Sequence, residues 1–149
     1  DYRLTERGQL LRHLYSELDL VLAQAIDDGA FDGLDATELA SAVMSLIYEP
    51  RRGSGGEPRH YPGGMQGNVA VCAAQLKGVH ASIAMLCEDY ALDEPRQLDF
   101  GITDVVYEWA QGESLSRVLY GTDLTGGDFV RGCKRLADVL QQIAVAGPG

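Results

Sequence analysis

Residues 104–143 read DVVYEWAQGESLSRVLYGTDLTGGDFVRGCKRLADVLQQI, and their apolar positions recur at helical spacing. From residue 125 onward, Phe129, Cys133, Leu136, Leu140 and Ile143 lie three and four apart, which puts them on one face of a helix. Upstream, Val105, Val106 and Trp109 mark a shorter helix over 102–111 whose apolar side, tryptophan included, is expected to face the core. Residues 114–120 form a further short helix and Gly121 a corner. The closing helix also gathers charge. Arg131, Lys134 and Arg135 are helical neighbours and form a small basic stripe in a chain with 22 acidic and 12 basic residues and a net charge of -10. The plain account of the stripe is a solvated face paired with Asp128 and Asp138, three residues before Arg131 and three after Arg135.

The remaining residues fit the same architecture. Over 4–25, Leu11, Leu14, Leu18, Leu22 and Ala25 keep a helical rhythm, with Ser16 able to cap a fresh start, and Asp28-Gly29 stops it. Phe31-Asp-Gly-Leu34 reads as a turn with two apolar anchors. Asp35 followed by Glu38 resembles a capping box for a helix whose buried face is Leu39, Val43, Leu46 and Ile47 and which should end at Glu49, before Pro50. Residues 51–64, RRGSGGEPRHYPGG, are rich in glycine and proline and are expected to form a long, exposed, flexible loop whose arginines, His60 and Tyr61 could reach RNA. Met65, Val69, Cys72, Leu76, Val79, Ile83, Leu86 and Tyr90 then predict a continuous helix over 65–90, with close helix packing at Gly67 and Gly78. Nothing alternates as a strand does. The expected fold is all-α: a single helical bundle over 1–149, of six or seven helices, with one long Gly/Pro-rich loop.

Several chemistries are missing from the sequence. There is no GxxxxGK[ST] phosphate loop, and Gly53-Ser-Gly-Gly56 is followed by neither lysine nor hydroxyl, so the chain alone is not expected to hydrolyse ATP. His13, His60 and His80 are far apart, and Cys72, Cys87 and Cys133 form no CxxC pair, so no metal site is expected and the thiols are read as inert. The acid pairs Asp27-Asp28 and Glu88-Asp89 fall at helix ends and read as solvated surface; no catalytic residue is assigned. Bulk acidity argues against gripping nucleic acid by overall charge, which leaves local contacts. No run reaches the roughly 18 consecutive apolar residues of a membrane helix and no signal-peptide region opens the chain, so the expected setting is soluble and cytoplasmic, without a membrane.

Two blocks of residues carry a family resemblance. Val105-Val-Tyr-Glu-Trp-Ala110, Gly112, Thr122-Asp123, Gly127-x-Phe-Val-Arg131 and Lys134-Arg-Leu136 resemble the DSHCT domain, the C-terminal helical domain of exosome-associated superfamily-two DExH RNA helicases. Gly8-Gln-Leu-Leu-Arg12, Ser16-Glu-Leu-Asp-Leu20, Phe31-Asp-Gly-Leu34, Glu38-Leu-Ala40 and Leu46-Ile-Tyr-Glu-Pro-Arg-Arg52 are similar to its N-terminal half, especially in actinobacterial members. The resemblance implies an accessory domain that packs on the motor domains and lines the path of single-stranded RNA. ATP and magnesium would belong to the motor domains of the parent polypeptide, and RNA-degradation machinery joins the expected partners. In this family, residues matching Glu49 and Arg135 lie where RNA is met; Lys134 stands beside the latter and Arg131 joins by helical proximity. Gly132 departs from the family, which tends to carry a bulky residue there. The chain also ends at Ala146-Gly-Pro-Gly149, short of a further helix usual in the family, so uncovered apolar surface and self-association at high concentration are expected. Two other readings are a helix-turn-helix regulator of DNA, built on 114–135, and a helical protein-interaction module. The first is weakened by Gly126, Gly127 and Asp128 at the start of its recognition helix, where an acid repels phosphate.

Overall fold

Asp35 and Glu38 form the reciprocal cap that their spacing predicts. In the structure, a computed structural model that describes residues 17–50, 56–122 and 124–146, Asp35 Oδ1 accepts from the Glu38 N–H at 2.8 Å and Glu38 Oε1 accepts from the Asp35 N–H at 3.1 Å. Two donors left open at the helix start are thereby satisfied. The helix they open, Ala36–Ile47, is α2. It follows α1 (Glu17–Asp27) and precedes α3 (Asn68–Asp89), α4 (Thr103–Ala110), α5 (Leu115–Leu119) and α6 (Gly126–Ala146). Among the described residues there are six helices and no strand, an all-α architecture as expected. The predicted start of the first helix, residues 4–16, lies outside the described residues, as do 51–55, Asp123 and 147–149.

α2 is the centre. Residues Ser41 to Ile47 are all buried, because α3, α4 and α6 pack against this one helix while α1 packs on α3. A helix enclosed on every side must be apolar all round or have its polar groups satisfied. Here Ser41 Oγ donates to the Thr103 carbonyl at the start of α4 at 2.7 Å, and Ser45 Oγ donates to Ala42 O at 2.7 Å. The C-terminal end differs from expectation. α2 stops at Ile47 rather than Glu49, with Tyr48 already extended at φ -64, ψ 126. Its last carbonyls find partners outside the helix: Arg96 Nη2 donates to Leu46 O at 3.0 Å and the Asp99 N–H donates to Ser45 O at 3.0 Å. A further turn is therefore unnecessary, and Pro50 disfavours helical backbone at Glu49.

That same 96–103 strap anchors the described part of the Gly/Pro-rich loop, which is exposed as expected at Glu57, Arg59, His60, Gly63 and Gly64. Residues 56–64 are held against the core. The buried Asp99 carboxylate accepts the Gly56 N–H at 3.0 Å and the Gly101 N–H at 2.8 Å, while the Phe100 N–H donates back to Gly56 O at 2.8 Å. Tyr61 and Pro62 are buried, and the Tyr61 ring meets Phe100 at 6.4 Å between centroids. Glu57 accepts hydrogen bonds from Tyr61 and from Lys77, whose ammonium stands 5.1 Å from the Phe100 centroid. Burial pulls the Glu57 carboxyl up, but the hydrogen bonds from Lys77 and Tyr61 and the Lys77 charge together outweigh it and leave its pKa below the ordinary value. Burial first, then the Glu57 carboxylate, pushes the Tyr61 phenol well above its usual range.

α3 begins at Asn68 rather than Met65 and is buried for only part of the predicted face. Val69, Cys72, Leu76 and Val79 enter the core and Ile83 is half-buried, but Met65, Leu86 and Tyr90 are exposed and Cys87 is buried in their place. Apart from Cys87, the buried residues of α3 lie between Val69 and Val79, so the periodicity runs on past the part of the helix that is buried. The chain leaves α3 through Ala91 at φ 55, with the Leu92 N–H reaching Cys87 O at 2.8 Å. Neither glycine marks a helix crossing. A Cβ at Gly67 would meet the Gly63 backbone at 2.8 Å, a loop contact, and one at Gly78 would meet nothing within 4 Å. By length and composition α3 could cross a membrane; here its first half fills the core, Lys77 engages Glu57, and His80 Nε2 lies 3.0 Å from Arg96 O.

The glycine that does permit close packing is Gly132 of α6, where a Cβ would stand 3.0 Å from Met44 Cε on α2. Two substitutions should therefore move stability in opposite directions. Gly78→Ala should raise it by about 1 kcal/mol, worth roughly 2–4 °C in melting temperature, and Gly132→Leu should lower it by about 1–3 kcal/mol through overpacking. Thermal melts that shift the same way would contradict this packing.

The Glu57 cluster should show in acid. Its folded carboxyl titrates below the ordinary 4.5, so its stabilisation is full above that value and lost as pH falls through the folded pKa. The melting-temperature gap between the parent chain and Glu57→Gln should be widest at neutral pH and close toward strong acid; a pH-independent gap would contradict the cluster.

Candidate nucleic-acid interface

α6 is positioned by local chemistry at its start. Gly121, at φ +77, turns the corner after α5 in a left-handed conformation that costs glycine little. Thr125 Oγ1 then accepts the Asp128 N–H at 3.1 Å, and Asp128 lies in the first turn, where the helix dipole favours an acid. The predicted apolar face packs inward: Phe129 and Leu136 are buried, and Cys133, Val139, Leu140 and Ile143 lean on the core cluster. Burial raises the pKa of the Cys133 thiol, which keeps it neutral, and raises that of Cys72 to about 12. The neutral form of both thiols matches the inert reading.

The basic residues stand on the opposite side. Arg131, Lys134 and Arg135 are all exposed. Arg131 is paired with Asp128, as the plain account of a solvated face expects, but Asp138 does not pair with Arg135. The wider comparison is more telling. Arg59 faces Asp104 at 3.5 Å, Arg117 faces Glu113 at 3.1 Å, and Lys77 and Arg96 are paired with Glu57 and Glu49. Among the described residues, Lys134 and Arg135 are the cations without a carboxylate partner. They are adjacent in sequence. In an acidic chain, the uncompensated positive charge of the described residues thus falls within one turn of α6.

Glu49 sits elsewhere, at the end of α2. It is exposed, and its carboxylate engages Arg96, whose second nitrogen holds Leu46 O. Its described contacts therefore tie it to the strap rather than to the α6 stripe. The described arginine of the loop is compensated too. Arg59 turns to Asp104, a side chain 2% exposed in the first turn of α4 whose Oδ1 has no hydrogen-bond partner among the described groups. His60 Nε2 lies 3.9 Å from Glu108 Oε1. No three histidine, cysteine or acidic side chains gather as metal ligands among the described residues.

Trp109 corrects the sequence reading. It is 42% exposed, not core. α4 buries its first turn, Thr103 to Val106, and the rest of this short helix emerges from the protein. Trp109 meets Phe129 edge-on, with centroids 5.4 Å apart and rings at 82°. Beside that contact lies a hollow of about 270 Å³, between Trp109 and Leu115 on one side and Phe129, Val130, Cys133 and Lys134 of α6 on the other. Its walls are apolar, and Lys134 is the one charged residue that borders it. Spacing alone would have placed Trp109 with Val105 and Val106; its one distinguishing signal is its place in the last turn of an eight-residue helix whose buried residues are Thr103 to Val106.

Comparison with known sequences adds a second line. The family model described as DSHCT (NUC185) domain matches residues 1–148. The chain is 32% identical over 159 residues to the probable helicase HelY of Mycobacterium tuberculosis, covering 97% of this chain and 17% of that protein. It is 33% identical over 162 residues to the probable helicase HelY of Mycobacterium leprae, covering 99% of this chain and 17% of the relative. It is 22% identical over 143 residues to the exosome RNA helicase MTR4 of Homo sapiens, covering 94% and 13%. The chain therefore spans 17% of the length of the mycobacterial helicases it matches.

Proposed function

Since this chain belongs to the DSHCT (NUC185) domain family, we propose that it is the accessory helical domain of an ATP-dependent RNA helicase and meets single-stranded RNA through Lys134 and Arg135 of α6. The observation that carries this reading is that, among the described residues, these two cations have no carboxylate partner, on a chain of net charge -10. The other described arginines and lysines each face a carboxylate, so within the described surface a strand would be drawn to one helix by local rather than bulk charge. Arg131 plays a lesser part because Asp128 already neutralises it. Glu49 joins by family resemblance. Its carboxylate would repel phosphate, so its contact would be a hydrogen bond accepted from a ribose hydroxyl or a base donor.

ATP and magnesium would be held by motor domains elsewhere in the parent polypeptide, and those domains and RNA-degradation machinery are the proposed protein partners. The helix-turn-helix alternative is less well supported. Its first helix would be α5, only Leu115–Leu119, and the start of α6 carries Asp128.

Affinity of the chain for labelled single-stranded RNA, measured against salt, tests the proposal. Lys134→Ala/Arg135→Ala should reduce the steepness of the log–log salt dependence by about 1.4, at roughly 0.7 per phosphate contact on a single strand. Its melting temperature should match that of the parent, because no ion pair is lost. Arg131→Ala should change the slope less and cost about 0.3–0.5 kcal/mol through its pair with Asp128. An unchanged slope in the double variant would remove the stripe from RNA binding.

A further inference from the structure

The hollow between α4 and α6 belongs to no contact described so far. We propose that it seats one nucleobase of the strand whose phosphates meet Lys134 and Arg135, an inference that rests on the RNA reading above. Three observations converge on a nucleotide as occupant. First, Trp109 is fixed edge-on against Phe129 and yet leaves 42% of its surface open, which makes a rigid indole available for stacking. Second, the walls are apolar, contributed by Leu115, Val130, Cys133 and Ala137, so they offer a base van der Waals contact with few hydrogen-bond partners to read its identity. Third, Lys134 borders the hollow with its methylene stem, and its ammonium, outside the apolar walls, has no carboxylate partner among the described residues.

An apolar side chain from a docking protein would fill the hollow and leave the ammonium unmatched. A nucleotide brings a flat apolar ring and an adjoining negative charge together, and so matches both features. The same geometry predicts indifference to sequence. A strand could advance by exchanging one base for the next, as an accessory surface of a translocating enzyme requires.

Trp109 is the sole tryptophan of the chain, so its fluorescence reports this site alone. The experiment titrates the chain with a short oligoadenylate and with an abasic strand of equal length, following tryptophan emission together with the anisotropy of a label on the strand. Oligoadenylate should quench Trp109; the abasic strand should bind more weakly and without quenching. Ala137→Leu fills the hollow from an exposed helix position and leaves the charges in place. It should abolish quenching and weaken oligoadenylate on the order of tenfold, the scale of one lost stacking contact, while leaving the abasic strand unaffected. Trp109→Phe should keep most of the affinity and Trp109→Ala should not. Oligoadenylate that binds without quenching, and as tightly to Ala137→Leu as to the parent chain, would overturn the base site while the RNA reading stands, and would hand the hollow to a protein contact. If neither strand binds, the RNA reading falls and the base site with it.

Discussion

The structure depends on the enclosure of α2. A helix buried from Ser41 to Ile47 cannot end in water, so the carbonyls of its last turn must be met by protein. The 96–103 strap does this, with Arg96 on Leu46 O and the Asp99 N–H on Ser45 O. Unmade, each buried polar group would cost about 1–3 kcal/mol. The strap is therefore as much a part of the core as the helices. From it hang the other irregular segments: Asp99 fixes Gly56, Phe100 receives Tyr61, and Thr103 O takes the Ser41 hydroxyl while opening α4.

The placement of α6 follows from the same centre. Gly132 lets it lie close on Met44 of α2, which leaves Phe129 and Leu136 inward and the basic residues outward on a rigid element. A bulky residue at this position would not fit against Met44 without a shift. Rigidity matters for a weak, local contact. Cations on a packed helix lose less freedom on binding than cations on a loop, and little of the binding energy is spent on ordering them. Compensation elsewhere matters equally, since paired Arg59, Lys77, Arg96 and Arg117 cannot compete for a strand without giving up a carboxylate.

Local signals were legible in the residues alone. The Asp35 and Glu38 cap, the inward face of α6 and the all-α class each depend on neighbours three or four positions away, which a sequence displays directly. What was not legible depends on where elements stop covering one another. Leu86 and Tyr90 keep the α3 rhythm yet are exposed, because the burial of that long helix is concentrated between Val69 and Val79. Tyr61 sits in a stretch of glycines and prolines, yet it is buried because Phe100, distant in sequence, provides a surface. Trp109 follows Val105 and Val106 at core spacing but lies past the buried first turn of α4. Arg135 has Asp138 three residues on and remains unpaired, since spacing permits an ion pair without forming it. The site residues were found partly by helical proximity and partly by resemblance. The pairing pattern that separates Lys134 and Arg135 from the other described cations is visible only in three dimensions.

The account claims that single-stranded RNA meets the chain at one place, on α6 and the emergent end of α4. Nitrogen–proton correlation spectra of the labelled chain, recorded as single-stranded RNA is added, test that claim most directly. The account predicts that shifts concentrate in the Trp109 indole N–H and the backbone amides of residues 130–137, with the amides of Gly56, Gly101 and α1 unmoved. Shifts centred on residues 56–61, or spread evenly over the surface, would contradict it.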